Sequence, residues 1–262
     1  MTYSKEYRNL LVETSDRVAK IILNRPASRN AVNMEMRVEL KEVLGLISED
    51  PEIRALILTG AGKAFCAGGD IRTMKVPMPY LAGRKRLKDF NVWLKTLINL
   101  EIPVIAAVNG VAAGVGCSLA MACDLIIASE KSKFSVSFAK IGLVPDGGSI
   151  FFLPRLVGLT RAKELMFTGR AVEASEALAM GLVNEVVPPG QVISRAEELA
   201  REFARGARNA IALTKRLLNL SMSSDLESIL EFEALGQDIC FGTEDFEEGS
   251  KAFLGKRKPT FK

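Results

Sequence analysis

Three short stretches carry residues whose types and spacing suit chemistry at a carbonyl. In the first, Val104 to Val108 is apolar, Asn109-Gly110 signals a turn, and Ala112, Ala113, Gly114, Val115 and Gly116 make a small-residue bend. Cys117 to Ala122 then reads as a short helix, and Asp124 opens a second apolar run through Ala128. Amides at a helix start have no intrahelical partner, so such a bend can bind an anion or a developing oxyanion. Its glycines let another molecule approach the backbone closely. A tightly packed core crossover uses the same residues, and both readings stay open here. The second stretch, Phe65-Cys66-Ala67-Gly68-Gly69-Asp70, is a bend after an apolar strand at 54–59. It too can present a backbone N–H, and Asp70 is expected to cap a helix. The third is Pro145-Asp146-Gly147-Gly148. A carboxylate between proline and two glycines is held on a stiff turn, as a proton acceptor or simply as a turn residue.

Other chemistries are excluded by type. The 262 residues include no histidine, which removes Ser-His-Asp and Cys-His catalysis and every His-based metal site. Proton transfer must then use Asp, Glu, Lys, Tyr, Cys or water. Gly60-Ala61-Gly62-Lys63 is not a phosphate loop, because the motif's first glycine would fall on Ile57 and Ala64 replaces its Ser/Thr. Gly110, Gly114 and Gly116 do not have dinucleotide-binding spacing. Cys66, Cys117, Cys123 and Cys240 show no CxxC spacing, so no metal is expected and reduced thiols of a cytoplasmic protein are. A net charge of +4 is too mild for a nucleic-acid partner and compatible with an anionic small ligand. The apolar stretch 103–128 is broken by Asn109, Ser118, Asp124 and three glycines and lacks a basic flank, so no membrane span is expected. No secretory signal is expected in MTYSKEYRNLLVE, which lacks an apolar run.

These stretches need elements to hold them. Strands are expected at 9–14 and 17–23, then a helix from about 33 to 48 with Met36, Leu40, Val43, Leu44 and Ile47 on one face. Residues 73–83, with two prolines, suit a mobile covering loop. The basic run Gly83-Arg84-Lys85-Arg86-Leu87-Lys88 is expected on the solvated face of a helix reaching about 98, with phosphate contact as the alternative. A short strand at 133–136, helices at 161–168 and 173–180 capped by Gly181, and a strand at 182–187 follow. After Pro188-Pro189-Gly190 the pattern is all helical, at 191–205, 208–221, 225–239 and 244–254. The chain therefore divides into a mixed α/β region, 1–190, and a helical region, 191–262.

With these elements placed, the sequence resembles the enoyl-CoA hydratase/isomerase (crotonase) superfamily along nearly its whole length. The motifs are LNRPASRNAV at 23–32, GAGKAFCAGGDI at 60–71, VNGVAAGVGCSLAMACDLIIA at 108–128, IGLVPDGG at 141–148 and TGRAVEASEALAMGLVNEVV at 168–187. The resemblance implies an α/β fold, a crotonase-like spiral of ββα units with a C-terminal helical region. It implies an acyl-CoA thioester substrate, with coenzyme A arriving as part of the substrate and no tightly bound cofactor. A homotrimer or homohexamer is implied, with the C-terminal region used in oligomerisation and in completing the CoA site. The Gly69 and Val115 amides would form an oxyanion hole. Arg29, the backbone at Ala67 and Ile71, and Arg72 would contact CoA, while Phe253 and Lys256 would reach a neighbouring subunit's CoA. Trp93, Phe138, Phe151 and the 73–83 loop would shape the acyl pocket.

The departures from the family are informative. Its hydratases use two glutamates, and those positions are Ser118 and Phe138 here. Asp146 remains, where the family's double-bond isomerases carry an acid. The implied activity is Δ3/Δ2 enoyl-CoA isomerisation with Asp146 as base, Ser118 being spare. A hydratase with a non-standard carboxylate and a non-catalytic acyl-CoA-binding relative are the alternatives.

Overall fold

The computed structural model describes residues 5–74 and 78–261. β1 (Leu10–Ser15) and β2 (Val18–Leu23) form an antiparallel hairpin in which Leu10 pairs with Leu23 and Ser15 with Val18. Asp16 and Arg17 both take positive φ, as a two-residue turn of matching twist requires. α1 (Met34–Glu49) starts at Asn33, whose side chain accepts the Met36 amide at 2.8 Å. Three strand pairs follow, each closed by a helix or helices. They are β3 (Ala55–Gly60) and β4 (Ala64–Cys66) before α2 (Ala82–Asn99), and β5 (Val104–Val108) and β6 (Val111–Ala113) before α3 (Val115–Met121). The third is β7 (Leu125–Ser129) and β8 (Lys133–Ser135) before α4 (Ser149–Val157) and α5 (Leu159–Thr168). β9 (Val172–Glu173), α6 (Ala174–Ala179) and β10 (Glu185–Val187) complete the α/β part.

The first strand of each pair joins one sheet and the second joins another. The larger sheet runs β1-β2-β3-β5-β7-β10, and the smaller runs β4-β6-β8-β9. This repetition is the spiral of ββα units, and it brings the β4–α2 and β6–α3 junctions side by side. β3 is buried on both faces, so its residues divide by parity. Leu56 and Leu58 join the main core, while Ala55 and Ile57 join a second one with Ile105, Ala107 and Ile127. α7 (Val192–Ala204) covers that second face with Val192, Ala196, Ala200 and Ala204, spaced by four and mostly small enough for close approach. α8 (Arg208–Ser221), α9 (Leu226–Phe241) and α10 (Glu244–Leu254) follow. No helix among the described residues is long and apolar enough to cross a membrane.

The structure corrects several local expectations. Ala112 and Ala113 are not part of a bend but pair in β6 with Phe134 and Ser135. The helix expected at 173–180 begins with the β9 pairing at Glu173. Leu182 and Val183 are buried outside any strand, and only Glu185–Val187 pairs with β7. Asp70 makes no side-chain cap to the short 3-10 turn Ile71–Thr73, because arginines hold its carboxylate. α4 was not expected, since its apolar run holds Pro154. The proposed covering loop falls partly on residues 75–77, outside the described residues.

Candidate active site

The two glycine bends meet. Val32 and Gly69 form an isolated parallel bridge, in which the Val32 amide donates to the Gly68 carbonyl and the Asp70 amide donates to that of Val32. Gly69's own N–H therefore faces away from the bridge. Val115 is the first residue of α3, so its amide has no helical acceptor. A Cβ built on Gly68 would stand 3.7 Å from the Val115 nitrogen and 2.9 Å from the Ala113 carbonyl oxygen. Gly68 also has φ +107, so glycine is required there twice over. Gly116 packs so tightly on β4 that a Cβ would lie 2.1 Å from the Cys66 oxygen. The bends that carry the Gly69 and Val115 amides are thus packed side by side.

Asp146 stands on the turn leading into α4, followed by Gly147 and Gly148, both with positive φ. Its main chain is firmly held. The Asp146 carbonyl accepts the Ser118 hydroxyl at 2.8 Å, the Ser149 hydroxyl at 2.9 Å and the Ser149 amide at 3.2 Å. A Cβ on Gly147 would fall 2.8 Å from Ser118 Cβ and 3.6 Å from Phe90 Cε1. The carboxylate is freer than the backbone, for its Oδ1 is buried without a hydrogen-bond partner. Burial raises the Asp146 carboxyl above its ordinary value, against the pull of Arg37 and Arg86. A desolvated carboxylate with one unengaged oxygen can accept a proton.

The stretch expected to hold a nucleotide is organised around Asp70. Its buried carboxylate accepts Arg25 at 3.0 Å and Arg72 at 3.1 Å, and Arg72 also reaches the Ser28 hydroxyl at 2.8 Å. Hydrogen bonding to Arg72, before that to Arg25, holds the Asp70 carboxyl below the usual range. The Ala67 amide donates to the Arg29 carbonyl at 2.9 Å; Ala67 is half-buried, while Arg29, Ile71 and Arg72 are exposed. Phe253 and Lys256 are placed elsewhere. Phe253 is 83% exposed and lines a cavity of about 580 Å³ with Ala207, Gln237, Phe246 and Phe261. No residue of the Asp146 cluster lines that cavity.

A sequence model of the enoyl-CoA hydratase/isomerase family matches residues 13–262. The chain belongs to this family. It is 42% identical to the short-chain-enoyl-CoA hydratase of Clostridium acetobutylicum over 254 residues, 97% of each chain. It is 38% identical to the 1,2-epoxyphenylacetyl-CoA isomerase of Escherichia coli over 248 residues, 93% of this chain and 94% of the other. The crystal structure of an enoyl-CoA hydratase from Bacillus anthracis superposes with a TM-score of 0.92 at 35% identity, covering 97% of this chain and 99% of that one. The chain is thus an enzyme of the enoyl-CoA hydratase/isomerase family with the crotonase fold, and that family uses CoA thioesters.

Within this enoyl-CoA hydratase/isomerase family member, the surroundings of Asp146 hold further residues. Ser118 tethers the turn that carries Asp146 through its hydroxyl. Phe138 is buried with its ring 3.9 Å from where a Gly114 Cβ would stand. The charges of Arg37 and Arg86 bear on the aspartate, and neither was expected there. Arg86 was placed on a solvated face, yet it is half-buried and its Nη2 lies 4.0 Å from a Gly69 Cβ position. A signal existed in the helix period. Arg37 falls on the stripe 37-40-44-47 of α1, and Arg86 on the stripe 86-90-93-97 of α2, all the other members being buried apolar residues. A charge on such a stripe faces inward. Trp93, expected at the acyl pocket, is instead enclosed in the core, edge-on to Phe90 at 4.6 Å. Phe151 is partly exposed beneath the Arg155 guanidinium, 3.8 Å from its ring.

Proposed function

We propose that the enzyme moves an acyl-CoA double bond between the Δ3 and Δ2 positions. The Gly69 and Val115 amides hold the thioester oxygen. Asp146 takes a proton from C2, the C3=C4 electrons shift as C2=C3 forms, and Asp146 returns the proton to C4. Negative charge passes from the carboxylate to the thioester oxygen and back. One observation carries this reading. Asp146 is a single desolvated carboxylate with an unengaged oxygen, and the charged groups bearing on it are arginines rather than a second acid. A proton shift needs one such group, whereas activating water and protonating carbon is commonly shared by two.

Hydration is the second reading, favoured by names such as that of the Clostridium acetobutylicum relative. It would require Asp146 to activate water with a partner of another type. The test is an assay of the purified enzyme against matched 2-enoyl- and 3-enoyl-CoA panels with product structures determined. Interconversion without 3-hydroxyacyl-CoA supports isomerisation; dominant 3-hydroxyacyl-CoA overturns it. Arg29, Ala67, Ile71 and Arg72 are our proposed nucleotide contacts. The same proposal has Phe253 and Lys256 reach the CoA of a neighbouring copy, with the C-terminal helices making the contacts between copies in a trimer or hexamer. A concentration-independent monomer in sedimentation would overturn that assembly.

A further inference from the structure

Arg37 and Arg86 leave the site with an unbalanced charge. Arg37 is 6% exposed, yet its Nε has no hydrogen-bond partner. Among the described residues its Nη1 reaches only the Arg86 carbonyl, at 3.4 Å, and the guanidinium lies over the Phe90 ring at 5.0 Å. Phe90 also borders Gly147, next to Asp146. Arg86 stands on the Gly69 side of the same space. Neither guanidinium has a carboxylate ion-pair partner among the described residues. Asp89, the next acid along α2, bears on Arg37 only at a distance and is paired with Lys85 at 3.0 Å, so it adds no net negative charge. Burial lowers the Arg37 guanidinium to about 10, which shows how strongly its charge is desolvated.

Two cations therefore flank one carboxylate. A buried charge without a partner is costly, and a hydrocarbon acyl chain would leave that cost in place. A second carboxylate would remove it, giving two guanidinium groups and two acids. Guanidinium forks match carboxylates in both charge and shape.

We propose that Arg37 and Arg86 form an acyl-end subsite that selects thioesters whose acyl group carries a second, terminal carboxylate. This rests on the reading of Asp146 and the two amides as an acyl-CoA proton-transfer site. The test uses matched saturated thioesters that differ only in a terminal methyl or carboxylate, valeryl- against glutaryl-CoA and hexanoyl- against adipoyl-CoA. Exchange of the α-hydrogens with D₂O reports proton transfer without isomerisation. In the wild type, kcat/KM for exchange should favour the carboxylate member of at least one pair by about ten- to a hundredfold. In Arg86→Met and Arg37→Met that ratio should fall toward one. The ratio is the readout because a general loss of support for Asp146 slows both members alike. No carboxylate preference in either pair, or a preference that survives both variants, overturns the subsite. Arg86 is only half-buried, so Arg86→Met keeps the test intact where Arg37→Met fails to fold. Absence of exchange with every thioester would overturn the role of Asp146 instead. The same ratio read from dissociation constants would then still decide the subsite.

Discussion

The Ser118 hydroxyl donates to the backbone carbonyl of Asp146 at 2.8 Å. The aspartate is thereby positioned through its main chain, and its Oδ1 is left without a hydrogen bond among the described residues. In a base this division is useful, since each hydrogen bond to a carboxylate makes it a weaker proton acceptor.

Asp146→Asn keeps the shape and removes the base. Isomerisation and α-hydrogen exchange should both fall by about 10² or more. Acyl-CoA affinity should change little, because the Gly69 and Val115 amides remain. Calorimetric binding beside exchange kinetics separates the two; full activity in the variant would make Asp146 a turn residue only.

Ser118→Ala removes one of two hydroxyls on the Asp146 carbonyl, and Ser149→Ala removes the other. Each should cost about 0.5–1.5 kcal/mol of stability. The double variant should lose more turnover than the product of the singles, since each hydroxyl backs up the other. Thermal unfolding with kcat measurements checks both; strictly multiplicative kinetics would mean that the two do not share a task.

Asp146 should shape the pH profile. Burial raises its carboxyl above 3.8, and only the ionised form accepts a proton. Turnover should therefore climb with pH through that raised value and level off above it. Arg86 favours the ionised form, so Arg86→Met should move the limb to higher pH. The sign for stability is opposite. A carboxyl raised in the native state stabilises the fold while protonated and loses that contribution as pH rises through its native value. Asp146→Asn should then melt higher than wild type at neutral pH, with the gap closing in acid.

Gly116→Ala tests the junction between the bends. Its φ is not positive, so backbone strain is not at issue, but the new Cβ would stand 2.1 Å from the Cys66 oxygen. The start of α3 must move off β4, costing about 1–3 kcal/mol. The Val115 amide should move with it. Exchange should slow beyond what the unfolded fraction explains, and unchanged exchange would disconnect that amide from the reaction.

Much of this site could be read from residue types alone. Gly68-Gly69, Gly114 to Gly116 and Asp146-Gly147-Gly148 advertise tight backbone geometry, and the structure brings them together. What the sequence hid was partnership across distance. Ser118 looked idle because its acceptor, a backbone carbonyl 28 residues on, leaves no trace in composition. Arg86 looked solvated because Arg84, Lys85 and Lys88 around it are exposed. Only its place on the stripe of Phe90 and Leu97 marks it as inward-facing. The β9 pairing was missed because two residues cannot establish a strand period.

The contact between Ser118 and the Asp146 turn also limits what position 118 can hold. A longer side chain in the same rotamer would set a methylene where the hydroxyl now approaches a carbonyl oxygen at 2.8 Å, closer than carbon tolerates. A Cβ on Gly147 would stand 2.8 Å from the Ser118 Cβ, so the glycine leaves the room in which this side chain sits. Positions 118 and 147 are therefore coupled: bulk added at either one must be accommodated by the other.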